Sequence, residues 1–269
     1  MMQPTLPLNL AHRGARKAAP ENTLAAFSVA QQLGADGVEL DVIRCATGEM
    51  VVTHDDDLSI WSNGRGRVSL ASLAALKELD FGSHFAPQFA GEKIPTLPEV
   101  INVLGEQMFI NIEIKTIALR PLAEAVSVAA IIADYNLYQR VVVSSFNPLV
   151  LHHIRKLDRR IPTGLLYQFR LPFNTRRPIS APFLGLAALH PEARLVKPRF
   201  IERARRLGYR INTWTVNEPE EMRRLITLGV DAIITDYPDR LKAVLRECAS
   251  AAHSFFLPKR RKTINTGRQ

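Results

Sequence analysis

A set of polar side chains in the first half of the chain sits where acid–base or metal chemistry could use it. Glu39 and Asp41 alternate with apolar residues in G-V-E-L-D-V-I, and Glu113 and Lys115 do the same in M-F-I-N-I-E-I-K. Successive residues of a strand point to opposite faces, so each pair shares one face. His12 ends the run L-P-L-N-L-A-H, with Arg13 and Gly14 directly behind it, and His54 follows M-V-V-T beside Asp55. Three carboxylates are costly to bury together unless something neutralises them. Arg13 and Lys115 could balance two of the charges as a salt-bridge network. A hard divalent cation, Mg2+ or Ca2+, does so better, because it prefers carboxylate oxygen to imidazole. The two histidines are then free for proton transfer, and Arg13 and Lys115 can face a phosphate. Together these parts describe phosphodiester cleavage. The metal polarises the phosphoryl group, one histidine activates the attacking oxygen, and the other protonates the leaving alkoxide.

Such a constellation needs elements that carry it to one place. Apolar, β-branched runs alternate with amphipathic helical patterns along most of the chain, which signals a parallel α/β sheet. The strands are expected at 6–12, 37–43, 108–115, 140–146, 163–168, 185–190, 210–216 and 231–237. Eight strands with intervening helices in about 250 residues point to a (β/α)8 TIM barrel, which carries its site at the C-terminal strand ends. There the first three strands would bring the carboxylates, the cations and the histidines into one pocket. A doubly wound open sheet is the alternative. It would more often show a Gly-rich phosphate turn after its first strand, and H-R-G-A-R-K-A is not one.

One segment breaks the alternation. Residues 44–96 form an insertion after the second strand, in which M-V-V-T-H is expected to pair as a hairpin with that strand across A-T-G-E. The rest reads as a small subdomain, and loops of such length are usually functional in compact domains. The barrel is expected over 1–248, and 249–269 as a flexible basic tail.

Composition narrows the classes. With 269 residues, 46% of them hydrophobic, the chain can bury a sizeable core. No apolar run approaches the ~20 residues needed to span a bilayer. The start, M-M-Q-P-T-L-P-L-N-L, has no basic region followed by a long apolar core, so no secretory signal is expected. The two cysteines, Cys45 and Cys248, lie far apart without metal-type spacing. A reducing, cytoplasmic setting is expected from these features. The net charge of +9 is uneven: residues 1–154 carry 11 Lys/Arg against 16 Asp/Glu, and residues 155–210 carry 14 against 3. That basic half could steer an anionic substrate, touch an anionic surface, or be a solvated helical face.

In this order, H-R-G, P-E-N-T, G-x-E-L-D-V, V-V-x-H-D, I-E-I-K, W-T-V-N and I-T-D-Y-P resemble the glycerophosphodiester phosphodiesterase family. The match spans about residues 8–245, and the motifs are specific as a set, although each alone is weak. The resemblance implies a (β/α)8 barrel that hydrolyses glycerophosphodiesters to an alcohol and sn-glycerol 3-phosphate, with one divalent metal ion, Mg2+ or Ca2+. It implies His12 and His54 as general acid and base, Glu39, Asp41 and Glu113 as metal ligands, and Arg13 and Lys115 as phosphate-binding groups. The segment after the second strand matches the small insertion of that family. Gly14 would leave room for the substrate, and Asn22 reads as a helix N-cap, with Glu21 able to hydrogen-bond within the site.

Further residues are placed at the rim. Trp214 and Phe146 could wall the glycerol carbons, with Asn217 nearby. His190 is expected as a loop histidine with a structural hydrogen bond, Asp236 as the cap of the last turn, and Asp55 as an orienter of His54. The segment Q-F-R-L-P-F-N-T-R-R-P-I-S-A-P-F-L-G departs from the family pattern. Its Arg170, Arg176 and Arg177, with Phe169 and Phe173 and the tail from Lys259 to Lys262, suit an anionic membrane surface. An ordinary covering loop is the plainer account. The small-molecule diester is the expected partner, with peripheral contact to anionic membrane as an additional one and no nucleic acid, for which no motif is present. Two other activities remain open. One is a lysophospholipase D-like hydrolysis of lysophospholipids, the other a non-catalytic protein that binds polyanions or membrane.

Overall fold

The computed structural model describes residues 6–116, 121–168 and 184–256. The arginine–phenylalanine segment from Phe169 to Arg177 and the tail from Lys259 to Lys262 lie outside the described residues. Strands are β1 (Leu8–His12), β2 (Gly37–Arg44), β3 (Met50–Val52), β4 (Phe109–Ile114), β5 (Val141–Ser145), β6 (Thr163–Tyr167), β7 (Ala188–Pro191), β8 (Arg210–Thr213) and β9 (Ala232–Thr235). Helices among the described residues are α1 (Leu24–Gln32), α2 (Leu58–Trp61), α3 (Leu73–Glu78), α4 (Leu97–Leu104), α5 (Leu122–Asp134), α6 (Pro148–Leu157), α7 (Pro198–Arg206), α8 (Pro219–Leu228) and α9 (Pro238–Phe256).

The sheet closes on itself. β1 pairs in parallel with β2 through Leu10 and Gly37, and with β9 through Leu8 and Ala232. The parallel order then runs β9, β8, β7, β6, β5, β4 and back to β2, which makes the (β/α)8 barrel. β3 lies outside the closed ring, antiparallel to β2, with Val42 opposite Val52. The hairpin expected across A-T-G-E is therefore present. The strands are short where the expected runs were long: β8 stops at Thr213, so Trp214 already belongs to the loop above it.

Helix starts follow capping chemistry. Thr23 accepts from the Ala26 amide and caps α1, so the cap is Thr23 and not Asn22. Asn22 sits at φ 58, a left-handed conformation that Asn tolerates and that takes its side chain away from the helix end. Thr96 and Glu99 form a capping box at α4, a feature worth about 1 kcal/mol. Gly14 has φ 77, and a Cβ there would meet the Ala26 backbone at 2.7 Å. The glycine in H-R-G therefore makes room for α1, a correction to the substrate-access reading. It seats the loop after β1 directly on that helix.

The main core lies between barrel and helices. Phe27, Leu40, Leu97, Leu104, Ile112 and Ile132 are fully buried there. Shortening one such Leu or Ile to Ala costs roughly 2–5 kcal/mol. The insertion has a core of its own: Ile43, Cys45, Val51, Leu58, Val68, Leu76, Phe81 and Ile94. It is anchored on β2 and β3, which hold one wall of the site. α9 continues to Phe256 and so takes in residues 249–256, which had been expected as tail. Among the described residues no helix is long and apolar enough to cross a membrane.

Candidate active site

Glu39, Asp41 and Glu113 come together as their strand alternation requires. Asp41 and Glu113 are partners in the β2–β4 register, and Glu39 lies two residues back on the same face. All three are buried, and one carboxylate oxygen from each lies within 4.8 Å of the others. Two cations are built into the cluster. Lys115 places Nζ 3.0 Å from Asp41 Oδ1 and 2.5 Å from Glu113 Oε1. Arg13 places Nε 3.1 Å from Asp41 Oδ2, an ion pair not aligned as a hydrogen bond, and donates from Nη1 to Glu21 at 2.7 Å. Arg13 also has a left-handed backbone, φ 55, and its amide donates to the Glu39 carbonyl at 2.8 Å. The turn that bends H-R-G over the barrel mouth is thereby tied to β2.

Burial and charge divide the three acids. Burial lifts the Glu39 carboxyl well above the usual carboxylate range, and Asp41 and Glu113 push it the same way. Burial likewise raises Glu113 to about 7 against the opposing pull of Lys115. For Asp41 burial also acts upward, but Lys115 and Arg13 prevail and hold it below the ordinary value. Glu39 and Glu113 therefore lack sufficient positive charge nearby. Three buried carboxylate groups with converging oxygens fit a hard divalent ion, whose charge would relieve that repulsion.

Each histidine has a carboxylate partner. His12 Nδ1 lies 2.6 Å from Asp236 Oδ1, just past the end of β9, and its Nε2 is 3.9 Å from Glu39 Oε2. Asp236 is held by Asn217, which donates from Nδ2 at 2.8 Å and accepts the Asp236 amide at 3.0 Å. His54 follows β3, which Thr53 ties to the Asp41 carbonyl at 3.0 Å. Its Nδ1 is 3.0 Å from Asp55 Oδ2, and Trp61 Nε1 donates to the same oxygen at 2.7 Å. Burial lowers both histidines below the ordinary imidazole value, and both feel the opposing charge of Asp41. Both rings lie within electrostatic reach of the acid cluster.

Phe146 and Trp214 pack edge to face with ring centres 5.6 Å apart. Trp214 is steadied by its Nε1, which donates to the His190 carbonyl at 2.8 Å. A cleft of about 480 Å³ includes His54, Glu113, Lys115, Ser145 and Phe146 in its wall.

The structure corrects two assignments and adds Asn22 and Arg16. Asp236 does not serve merely as a turn cap, because its carboxylate takes His12. His190 is no loop residue: it lies in β7, wholly buried, with Nε2 accepting from Asn212 at 3.0 Å, and burial lowers it to about 3. Asn22 donates to Asp41 at 3.0 Å, and Arg16 pairs with Glu21 at 2.5 Å and approaches Asp236 at 3.8 Å. Asp236 becomes visible only when the last strand is set beside the first. The expected barrel implies that closure, which brings T-D-Y-P to H-R-G.

Known proteins resemble this chain in sequence and fold. The Glycerophosphoryl diester phosphodiesterase family matches residues 12–240. A glycerophosphodiester phosphodiesterase of Caldanaerobacter subterraneus subsp. tengcongensis is 42% identical over 244 residues, covering 89% of this chain and 98% of that protein. One from Bacillus subtilis is 30% identical, covering 89% and 86%. Among solved structures, a phosphodiesterase of Oleispira antarctica in complex with the product sn-glycerol-3-phosphate superposes with a TM-score of 0.79. It is 30% identical, with 90% of this chain and 97% of that one covered. With its closed barrel and clustered acids, this chain belongs to the glycerophosphoryl diester phosphodiesterase family.

Proposed function

We propose that this protein hydrolyses glycerophosphodiesters to an alcohol and sn-glycerol 3-phosphate in a metal-dependent reaction, with His12 and His54 as the proton-transfer groups. The observation that carries this reading is the convergence of Glu39, Asp41 and Glu113 at one end of the barrel, with each histidine backed by its own carboxylate. A divalent ion held by Glu39, Asp41 and Glu113, either Mg2+ or Ca2+, would polarise the phosphoryl oxygens and offset their charge.

The chain's own groups do the rest. One histidine takes the proton of the attacking oxygen as its bond to phosphorus forms. The other gives a proton to the alcohol oxygen as the old P–O bond breaks, so charge does not accumulate on the leaving group. Asp236 and Asp55 hold the two rings by Nδ1, which leaves Nε2 of each for substrate. Lys115 and Arg13 place positive charge beside the phosphate. Phe146 and Trp214 offer an apolar wall to the glycerol carbons.

The product-bound Oleispira antarctica neighbour supports glycerol 3-phosphate as product. The experiment is a side-by-side assay of glycerophosphocholine, glycerophosphoethanolamine and a lysophospholipid with Mg2+, with Ca2+ and with chelator. Turnover of the small diesters that chelator abolishes is the expected result; chelator-resistant turnover removes the metal, and no turnover removes the activity. For acylated substrates no described residue gives specific support. Two free cysteines suit a reducing, cytoplasmic location. Peripheral contact with anionic membrane rests on the basic excess of residues 155–210 alone. Co-sedimentation with anionic and neutral vesicles tests it, and equal binding to both would discard it.

A further inference from the structure

The run Asp55-Asp56-Asp57 is more than a solvated acidic stretch, because each carboxylate holds a different partner. Asp57 caps α2 through the Ser59 amide at 2.9 Å. Asp56 accepts from Arg67 Nε at 2.8 Å and from the Ser69 amide at 2.7 Å. Asp55 alone of the three meets a histidine of the site. Its Oδ2 lies 3.0 Å from His54 Nδ1 and accepts from Trp61 Nε1 at 2.7 Å. Trp61 ends α2, packs against the core of the insertion, and has its ring 5.6 Å from that of His84. A residue seated on that core therefore grips the carboxylate that grips His54. Asp55 is part-exposed, so without the indole its carboxylate is free to turn to water and release the imidazole. Among the described residues His54 lines the cleft and Trp61 does not, so the influence of Trp61 runs through Asp55.

We propose that Trp61 is a positioning residue for His54: its indole N–H fixes the Asp55 carboxylate, and the insertion thereby sets the turnover rate. This rests on the phosphodiesterase reading above. A hydrogen bond to an ionised acceptor is stronger than a neutral one, and here it selects one orientation of the acid. Misplacing a proton-transfer group by about 1 Å slows the chemical step. Substrate binding is left intact, because Trp61 stands outside the cleft wall.

Trp61→Phe keeps an aromatic ring in the packing and removes the N–H. On the metal-loaded protein, kcat for glycerophosphocholine is expected to fall about 3–10-fold with KM unchanged within about twofold. Trp61→His, which returns a ring N–H, should recover part of the loss. In an Asp55→Asn background Trp61→Phe should cost nothing further, since the two residues act in series. A merely structural role would cost both backgrounds alike. The chain has two tryptophans, so a second readout is available without turnover. The indole 1H–15N signal of Trp61 should move in Asp55→Asn while that of Trp214 stays, and this decides the matter if Trp61→Phe does not fold. Normal kcat in folded Trp61→Phe, equal losses in both backgrounds, or an unmoved indole signal overturns the inference and leaves the phosphodiesterase reading intact. If the wild type cleaves no diester, the functional reading falls and takes this inference with it.

Discussion

His12 Nδ1 and Asp236 Oδ1 lie 2.6 Å apart although 224 positions separate them in sequence. The contact exists because β1 and β9 are neighbours where the barrel closes. Asp236 cannot reach a reacting atom from behind the ring; it orients the imidazole and favours its protonated form. Asp236→Asn is therefore expected to lower kcat on the order of 10²-fold, with KM changed less than about twofold. Steady-state kinetics on the metal-loaded protein reads this, and a KM effect without a kcat effect would assign Asp236 to substrate binding. Asp55→Asn should cost less. Its bond to His54 is longer, 3.0 Å, and the side chains are about 30% exposed.

Replacing either histidine removes a proton-transfer group outright. His12→Ala and His54→Ala should each cost roughly 10²–10⁴-fold in turnover. Circular dichroism should remain that of the wild type, since neither ring belongs to an apolar core cluster. Near-normal turnover by one folded variant would exclude that histidine from the chemistry.

The three carboxylates should separate by their effects on the metal-free protein. Glu39→Gln, Asp41→Asn and Glu113→Gln are all expected to weaken metal binding, which calorimetric titration measures. Without metal, Asp41→Asn leaves Arg13 and Lys115 short of a shared partner and should destabilise by about 3–5 kcal/mol. Glu39→Gln relieves repulsion between acids and should change stability by less than about 1 kcal/mol. Unchanged metal affinity in all three would make the cluster a salt-bridge network.

His190 gives a pH dependence whose sign follows from burial. The ring titrates at about 3 in the folded chain and at ~6.5 when unfolded. Between those values the unfolded chain binds the extra proton, so stability falls as pH drops through the window. From pH 7 to pH 4.5 this one group accounts for about 3 kcal/mol. His190→Gln should flatten the acid loss by that order in denaturant melts at the two pH values. If the variant loses as much stability as the wild type, another group sets the slope.

How legible each part was depends on the range of the interaction behind it. Glu39, Asp41, Glu113 and Lys115 could be grouped from sequence because strand alternation has a period of two and is local. The barrel class was legible for the same reason, since eight apolar runs alternate with helical ones. His54 and its neighbour Asp55 were legible as adjacent residues behind a short hairpin strand. Local pattern failed where contacts cross the molecule. Thr23, not Asn22, caps α1 because the turn after β1 puts Asn22 in a left-handed conformation and its amide on Asp41. Gly14 yields to Ala26 of the helix and not to a ligand. His190 is sealed against Asn212 because β7 and β8 are adjacent around a closed ring. Strand composition determined which residues face inward, while pairing order and register decided which inward residues meet. Only the closure of β9 on β1 gave His12 its carboxylate, because pairing register is set by the packing of the whole barrel.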